Sequence, residues 1–411
     1  MTYENHALMR RELGLGGAVV TGLGSILGTG VFVSIAVAAG FAGRGILIAV
    51  PAAALVAIWN GLSSAQLASA HPVSGGTYEY GYRFLSPWFG YSAGWLFLIA
   101  KTASAATAAL GLAAYILGEA TIWFALITVG AVTLLILSGI RRTATANLVL
   151  VGVTVAALVA FMAVGAFPPP GAAPIEWTAG PAIILEAIAF LLVAYTGYGR
   201  IATLGEEVKD PSRIIPKAII ICLATTAFLY AGVAWALLAV GGGNSGSTDV
   251  GFLAGLTPAP LDILVRVGAA LAMIGVIVNL VLGLSRVWLA MGRRGDMPGG
   301  LAHLSSSDSP NRAVVLTGIT VAGVALVGDL RLTWEFSAFA VLLYYAITNL
   351  AALRLPERRF PVVIPLLGLS SCIFLSFWVT PGVWVTGVGI LILGLGWKAV
   401  SDRFSARARS R

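Results

Sequence analysis

Apolar residues in this chain run on in long windows separated by short polar clusters, without the three-and-four spacing of a half-buried helix. Twelve windows stand out, at about 14–40, 45–69, 88–117, 121–139, 145–167, 181–204, 216–240, 261–291, 312–328, 332–353, 361–379 and 381–399. A helix needs about 20 apolar residues to cross a roughly 30 Å hydrocarbon core. The pattern therefore predicts an all-α integral membrane protein of twelve spans. The window from Leu13 onward outlasts the roughly 7–15 apolar residues of a secretory signal, so it reads as an uncleaved first span.

Composition agrees: 58% of residues are apolar and 10% charged, against about 25% charged in soluble domains. Twelve spans leave no room for a soluble catalytic domain. With the N-terminus inside, 19 of the 25 Lys and Arg fall on cytoplasmic segments, while Arg44, Arg266 and Arg331 fall outside. Basic residues stay on the cytoplasmic side, so both termini are expected in the cytoplasm of a cell-membrane protein. The +8 net charge follows from those helix ends. No basic stripe interleaved with aromatics is present, so nucleic acid is not an expected partner and the bilayer is.

His6, His71 and His303 all lie outside the windows, and Cys222 and Cys372 lie within them as packing residues. No paired aspartates and no H-E-x-x-H motif occur, so neither an intramembrane enzyme nor a metal or cofactor site is expected. The proline-rich stretch 166–180 and the glycine- and serine-rich stretch 241–256 read as extracellular connectors.

Span 1 carries Gly22, Gly24, Gly28 and Gly30, and span 6 carries Gly197 and Gly199. Each glycine costs a helix about 1 kcal/mol relative to alanine, so both spans are expected to open. If the chain divides into spans 1–5 and 6–10, the breaks fall in corresponding members. Such paired breaks point to a transporter site, because freed N–H groups attract an anion and freed carbonyls a cation. A major facilitator arrangement would pair six spans with six and fits the breaks less well; a channel has no need of them.

Four stretches carry a family resemblance: Gly24-Ser25-Ile26-Leu27-Gly28-Thr29-Gly30-Val31-Phe32, Pro72-Val73-Ser74-Gly75-Gly76-Thr77-Tyr78, Gly205-Glu206-Glu207-Val208-Lys209-Asp210-Pro211 with Ile215-Pro216-Lys217, and Ser285-Arg286-Val287-Trp288-Leu289-Ala290-Met291. Together they resemble the amino acid/polyamine/organocation (APC) superfamily of transporters. The resemblance implies a LeuT-like 5+5 inverted repeat, with repeat one at about 14–167, repeat two at about 181–353 and accessory helices at about 361–399. It implies a substrate carboxylate at Thr29 and Gly30, with Ser25 and Gly28 nearby. The ammonium would lie at the carbonyls of Ile26, Ala194, Tyr195 and Thr196 beside Gly197. Phe32, Tyr195 and Tyr198 are implied as gate or pocket-wall residues.

Two positions depart from the family pattern. Arg200 follows the span 6 glycines where many members have an acid, which argues against cationic substrates. Thr154 stands where proton-coupled members place a lysine on span 5, facing the first helix, and is a coupling candidate. Lys101 lies about 13 residues into span 3, roughly 20 Å deep, where an ammonium costs about 2.5–3.5 kcal/mol without a cavity or partner. It is expected to carry protons, read the substrate, cap carbonyls of the span 1 break or pair with an acid. Glu186 reads as the clear acid within a span, facing the outer vestibule or Arg266, and Arg200 is expected to pair with Glu206 or Glu207.

The function expected is secondary active transport of amino acids by alternating access, proton-coupled or exchanging, by a monomer or homodimer. Val193 and Ala194 suggest a neutral substrate. Acidic amino acids, polyamines, another small organic solute, or a non-transporting sensor on the same fold are the alternatives.

Overall fold

The computed structural model describes residues 13–73, 75–139, 144–168, 179–205, 207–241, 252–305 and 309–409. The chain is helical throughout these residues. The first span consists of α1 (Leu15–Ile26), a π-helical turn at Gly30–Ser34 and α2 (Ile35–Ala42); α3 (Ile46–Ala70), α4 (Thr77–Phe84), α5 (Pro87–Leu117), α6 (Ile122–Leu137) and α7 (Ala144–Ala166) follow. A second composite consists of α8 (Pro181–Tyr195), a 3₁₀ turn at Thr196–Tyr198 and α9 (Gly199–Ala202). Then come α10 (Pro211–Ala239), the single turn α11 (Phe252–Gly255), α12 (Ala259–Arg294), α13 (Asn311–Ala325), α14 (Leu330–Leu353), α15 (Val363–Ser376) and α16 (Pro381–Arg409).

Local sequence sets many of these ends. Proline opens α5, α8, α10 and α16, where its missing N–H would have no partner anyway. Gly118 and Gly295 close α5 and α12 in left-handed conformations, with φ of 88° and 83°, which a side chain disfavours. Asp329 caps α14 by accepting the Leu332 N–H at 2.7 Å.

Among the described residues, eight stretches are long and apolar enough to cross a membrane, and four shorter apolar helices, α1, α6, α13 and α15, accompany them. Trp123, Phe228 and Leu393 are each more than 70% exposed on the outside of the bundle. Side chains of that size gain about 1.5–3 kcal/mol when removed from water, so these surfaces belong in lipid. The protein is a multi-pass membrane protein.

The interior is built on α5, whose small residues let neighbours approach closely. Ser104 pairs with Ser337 at 2.7 Å and Thr107 with Thr333 at 2.9 Å, joining α5 to α14. Asn349 of α14 donates to Asn60 of α3 at 2.7 Å, and Cys372 of α15 donates to the same oxygen. Cys372 and Cys222 are buried and unbridged, in keeping with packing roles.

Three features lie beyond the apolar pattern. The amphipathic α4 sits between spans 2 and 3. Leu13 forms a parallel bridge with Val208, donating to Glu207 O at 3.0 Å and accepting from Lys209 N at 3.1 Å. Finally, two of the basic residues at helix ends are engaged by carboxylates of the protein. Arg294 pairs with Glu79 at 2.7 Å, and Lys398 pairs with Asp296 at 2.8 Å and Asp402 at 2.9 Å. The connectors expected at 166–180 and 241–256 fall mostly outside the described residues, as do Arg141 and Arg142.

Candidate functional site

Both glycine-bearing spans are interrupted, but only span 1 opens. Span 1 departs from helix at Leu27, whose ψ is 108°, and resumes as the π turn from Gly30. Among the described residues the N–H groups of Gly28 and Thr29 make no backbone hydrogen bond. The Thr29 hydroxyl, 2% exposed, has no partner among the described residues. Gly22 and Gly24 stay helical, contrary to expectation, and serve close packing: a Cβ at Gly24 would lie 2.5 Å from Asn147 Oδ1, and one at Gly22 would lie 2.8 Å from Cys222 Sγ.

Span 6 tightens where unwinding was expected. Thr196 and Gly199 keep right-handed helical angles around the 3₁₀ turn, so Gly197 is not needed for its conformational freedom. Its role is proximity: a Cβ at Gly197 would collide with the backbone of Ser25 and come 2.6 Å from Ile26 N. Likewise a Cβ at Gly30 would lie 2.6 Å from Ala194 Cβ and 2.8 Å from its Cα. The two interrupted spans thus touch backbone to backbone on both sides of the break.

The structure brings Ser25, Ile26, Gly28, Thr29, Gly30, Ala194, Tyr195, Thr196 and Gly197 together, and hydroxyl groups cover several carbonyls expected to hold an ammonium. Tyr230 of α10 shares one proton between Ile26 O and Ala194 O, each at 3.1 Å. Tyr345 of α14 donates to Thr196 O at 3.2 Å. The Ser25 hydroxyl is used locally on Thr21 O at 3.0 Å. Phe32 and Tyr198 are fully buried; Phe32 packs edge-on to Tyr115, which donates to Phe32 O at 2.7 Å. Tyr195 reaches Val50 O of α3 at 3.1 Å and packs against the Tyr230 ring.

Lys101 meets span 6 rather than the span 1 break, with Nζ donating to Thr196 Oγ1 at 3.0 Å. No carboxylate among the described residues forms an ion pair with it. Thr154 uses its hydroxyl on Leu150 O at 2.8 Å. Two turns earlier on α7, Asn147 makes the contact with the first helix that was expected of Thr154, donating to Val20 O at 3.1 Å. On α12, Asn279 donates to Gly24 O at 3.4 Å and Ser285 to Leu282 O at 3.0 Å.

Three charge assignments change. Glu186 pairs with Arg331 of α14, whereas Arg266 is held by Asp262 at 2.9 Å and donates to Tyr115 O at 2.9 Å. Glu186 also has company: Glu335, 2% exposed, accepts from Arg331 at 2.7 Å and from the Thr380 hydroxyl. Arg331 lies over the Phe41 ring of α2 at 4.4 Å. One guanidinium therefore links α2, α8 and α14. Arg200 reaches Thr203 at 3.4 Å and makes no ion pair with Glu207 among the described residues; Glu206 lies outside them.

Sequence reasoning missed Tyr230 and Arg331 as site-forming residues. A signal for Tyr230 existed, because Cys222, Thr226 and Tyr230 recur every fourth residue on one face of α10. Cys222 contacts Val19 O at 3.4 Å, so this face follows α1 to the break.

Comparison with known proteins identifies the family. The amino acid permease family model matches residues 17–398. An uncharacterized transporter of Mycobacterium tuberculosis is 40% identical, over 98% of this chain and 93% of its own length. A branched-chain amino acid permease of Bacillus subtilis is 25% identical over 95% of this chain and 90% of its own. A methylthioribose transporter of the same organism is 24% identical over 93% of each. These relatives are transporters and not enzymes. The chain belongs to the amino acid permease family of the APC superfamily.

Proposed function

We propose that this protein is a secondary active transporter that carries an amino acid across the cell membrane by alternating access, with both termini cytoplasmic. The observation that carries the reading is the backbone contact between two interrupted spans beside unpartnered N–H groups at Gly28 and Thr29. These donors and the Thr29 hydroxyl suit a carboxylate. The carbonyls of Ile26, Ala194, Tyr195 and Thr196 suit an ammonium, since a carbonyl that accepts one hydroxyl keeps a second lone pair.

A LeuT-like 5+5 arrangement within twelve spans is part of the proposal. Beyond the breaks, α3 and α10 support it, because Pro51 and Pro216 each stand five residues into helices that occupy matching places in the two halves. The relatives named for amino acids support the substrate class.

Counterflow of labelled amino acids in proteoliposomes tests the reading and separates a carrier from a sensor. Thr29→Val, which keeps the side-chain shape and removes the hydroxyl, is expected to weaken binding by about tenfold, in line with a hydrogen bond to a charged group of about 1.5–3 kcal/mol. Wild-type affinity in this variant would remove Thr29 from the site.

Coupling to protons or substrate exchange belongs to the same proposal. The side-chain oxygens nearest a sodium position, those of Asn279, Ser285 and Thr154, belong to groups already bonded to backbone. Uptake is expected to persist when choline replaces sodium at fixed pH and voltage. Collapse of uptake under that exchange would establish a sodium site.

A further inference from the structure

Resting on that reading of the site, we infer that the transported amino acid is acidic and that its side-chain carboxylate is received by Lys101. The polar groups at the break are unequally satisfied. The carbonyls of Ile26, Ala194 and Thr196 each carry a hydroxyl from Tyr230 or Tyr345. Among the described residues the N–H groups of Gly28 and Thr29, the Thr29 hydroxyl and the carbonyls of Ser25 and Leu27 remain without a partner, and the two N–H groups take one carboxylate. Lys101 adds a cation whose one bond is to a neutral oxygen, Thr196 Oγ1, at 3.0 Å. That oxygen in turn donates to Val193 O at 2.8 Å, so it offers the ammonium no charge compensation. Thr196 adjoins Gly197, and Gly197 rests on Ser25, so the ammonium stands beside the point where the two spans meet. An ammonium at this point with no carboxylate partner among the described residues is complemented by a second carboxylate on the ligand, beyond the one that the N–H groups receive.

The cytoplasmic approach has the same sign. Arg286 lies two turns beyond Asn279 on the same face of α12, and Asn279 touches Gly24 of α1. Arg286 is exposed, and Arg200, on α9, is half-buried. No described carboxylate forms an ion pair with either arginine. A basic entrance raises the local concentration of anions, which a neutral substrate does not require.

The test is the ratio of affinities for an acid and its amide. Purified protein is titrated with L-glutamate, L-glutamine, L-aspartate, L-asparagine and L-leucine, with binding read from thermal stabilisation and from competition in counterflow. The expected result is that each acid binds the wild type at least tenfold more tightly than its amide. Lys101→Gln should abolish or invert that ratio while amide binding persists, and Lys101→Arg should keep it. Equal or tighter binding of the amides or leucine by the wild type overturns the inference without need of any variant. Survival of the ratio in Lys101→Gln overturns the role of Lys101, as would be found if that lysine only carried protons or braced span 6. Binding of none of the five would instead refute the proposed function, and this inference with it.

Discussion

Asp296→Ala is expected to be among the most destabilising single substitutions in this protein. Asp296 follows α12 at one end of the bundle, and its side chain is 1% exposed. It accepts from Tyr78 at 2.7 Å, from Tyr82 at 2.7 and 2.8 Å, and from Lys398 at 2.8 Å. Trp397 donates to its backbone carbonyl at 2.9 Å. Burial, and then the adjacent Asp296 carboxylate, hold the Tyr78 phenol well above its ordinary pKa, so it remains a donor. Removing the carboxylate leaves both phenols without their acceptor and Lys398 with Asp402 alone, and breaking a buried pair costs up to about 3–5 kcal/mol. The melting temperature of detergent-purified protein should fall steeply. Lys398→Met should cost less, because the two phenols still satisfy Asp296. An Asp296→Ala protein that melts like the wild type would show that this cluster does not hold α4 and α16 to the bundle.

Gly197→Ala is expected to abolish measurable transport. The atoms that the new methyl would meet belong to the backbone of Ser25 and to Ile26 N, so no side-chain rotation can relieve the contact. The spans must separate, and a displacement of about 1 Å at a site that positions its ligand costs on the order of 100-fold in rate. Gly199→Ala, two residues on, is the control: its nearest neighbour is Tyr345 OH at 3.4 Å, an ordinary contact. Initial uptake rates of the two variants, normalised to protein in the membrane, decide the matter. Normal uptake by Gly197→Ala would mean that the close approach of spans 1 and 6 has no part in transport.

Most helices were legible because a run of apolar residues in a bilayer has one economical conformation, with all backbone groups bonded internally. The helix α4 was not legible in that way, since its eight residues are polar on one face and apolar on the other. The break at Gly28 and Gly30 could be read because glycine weakens a helix locally. The geometry of span 6 could not. A 3₁₀ turn differs from an α-helix by small changes in ψ, and Gly197 is there for a contact with residues 170 positions away. Tyr230 and Arg331 act through the packing of α10 and α14 against the breaks; the four-residue spacing of Cys222, Thr226 and Tyr230 marks a face of α10, but periodicity along one helix does not say which neighbour that face meets. The bond between Arg331 and Glu335 was within reach, because residues four apart on a helix face each other.

The cluster at Asp296 also sets a timetable for synthesis. Its cationic partner, Lys398, lies 102 residues downstream. At about 5–20 residues per second, the ribosome delivers that partner roughly 5–20 s after Asp296 itself. Tyr78 and Tyr82 are already made by then and can shelter the carboxylate, but α16 arrives last. Until α16 is made, Asp296 therefore has hydroxyl partners but not the Lys398 ammonium, and the hold of α16 on this end of the bundle is the last of its contacts to form.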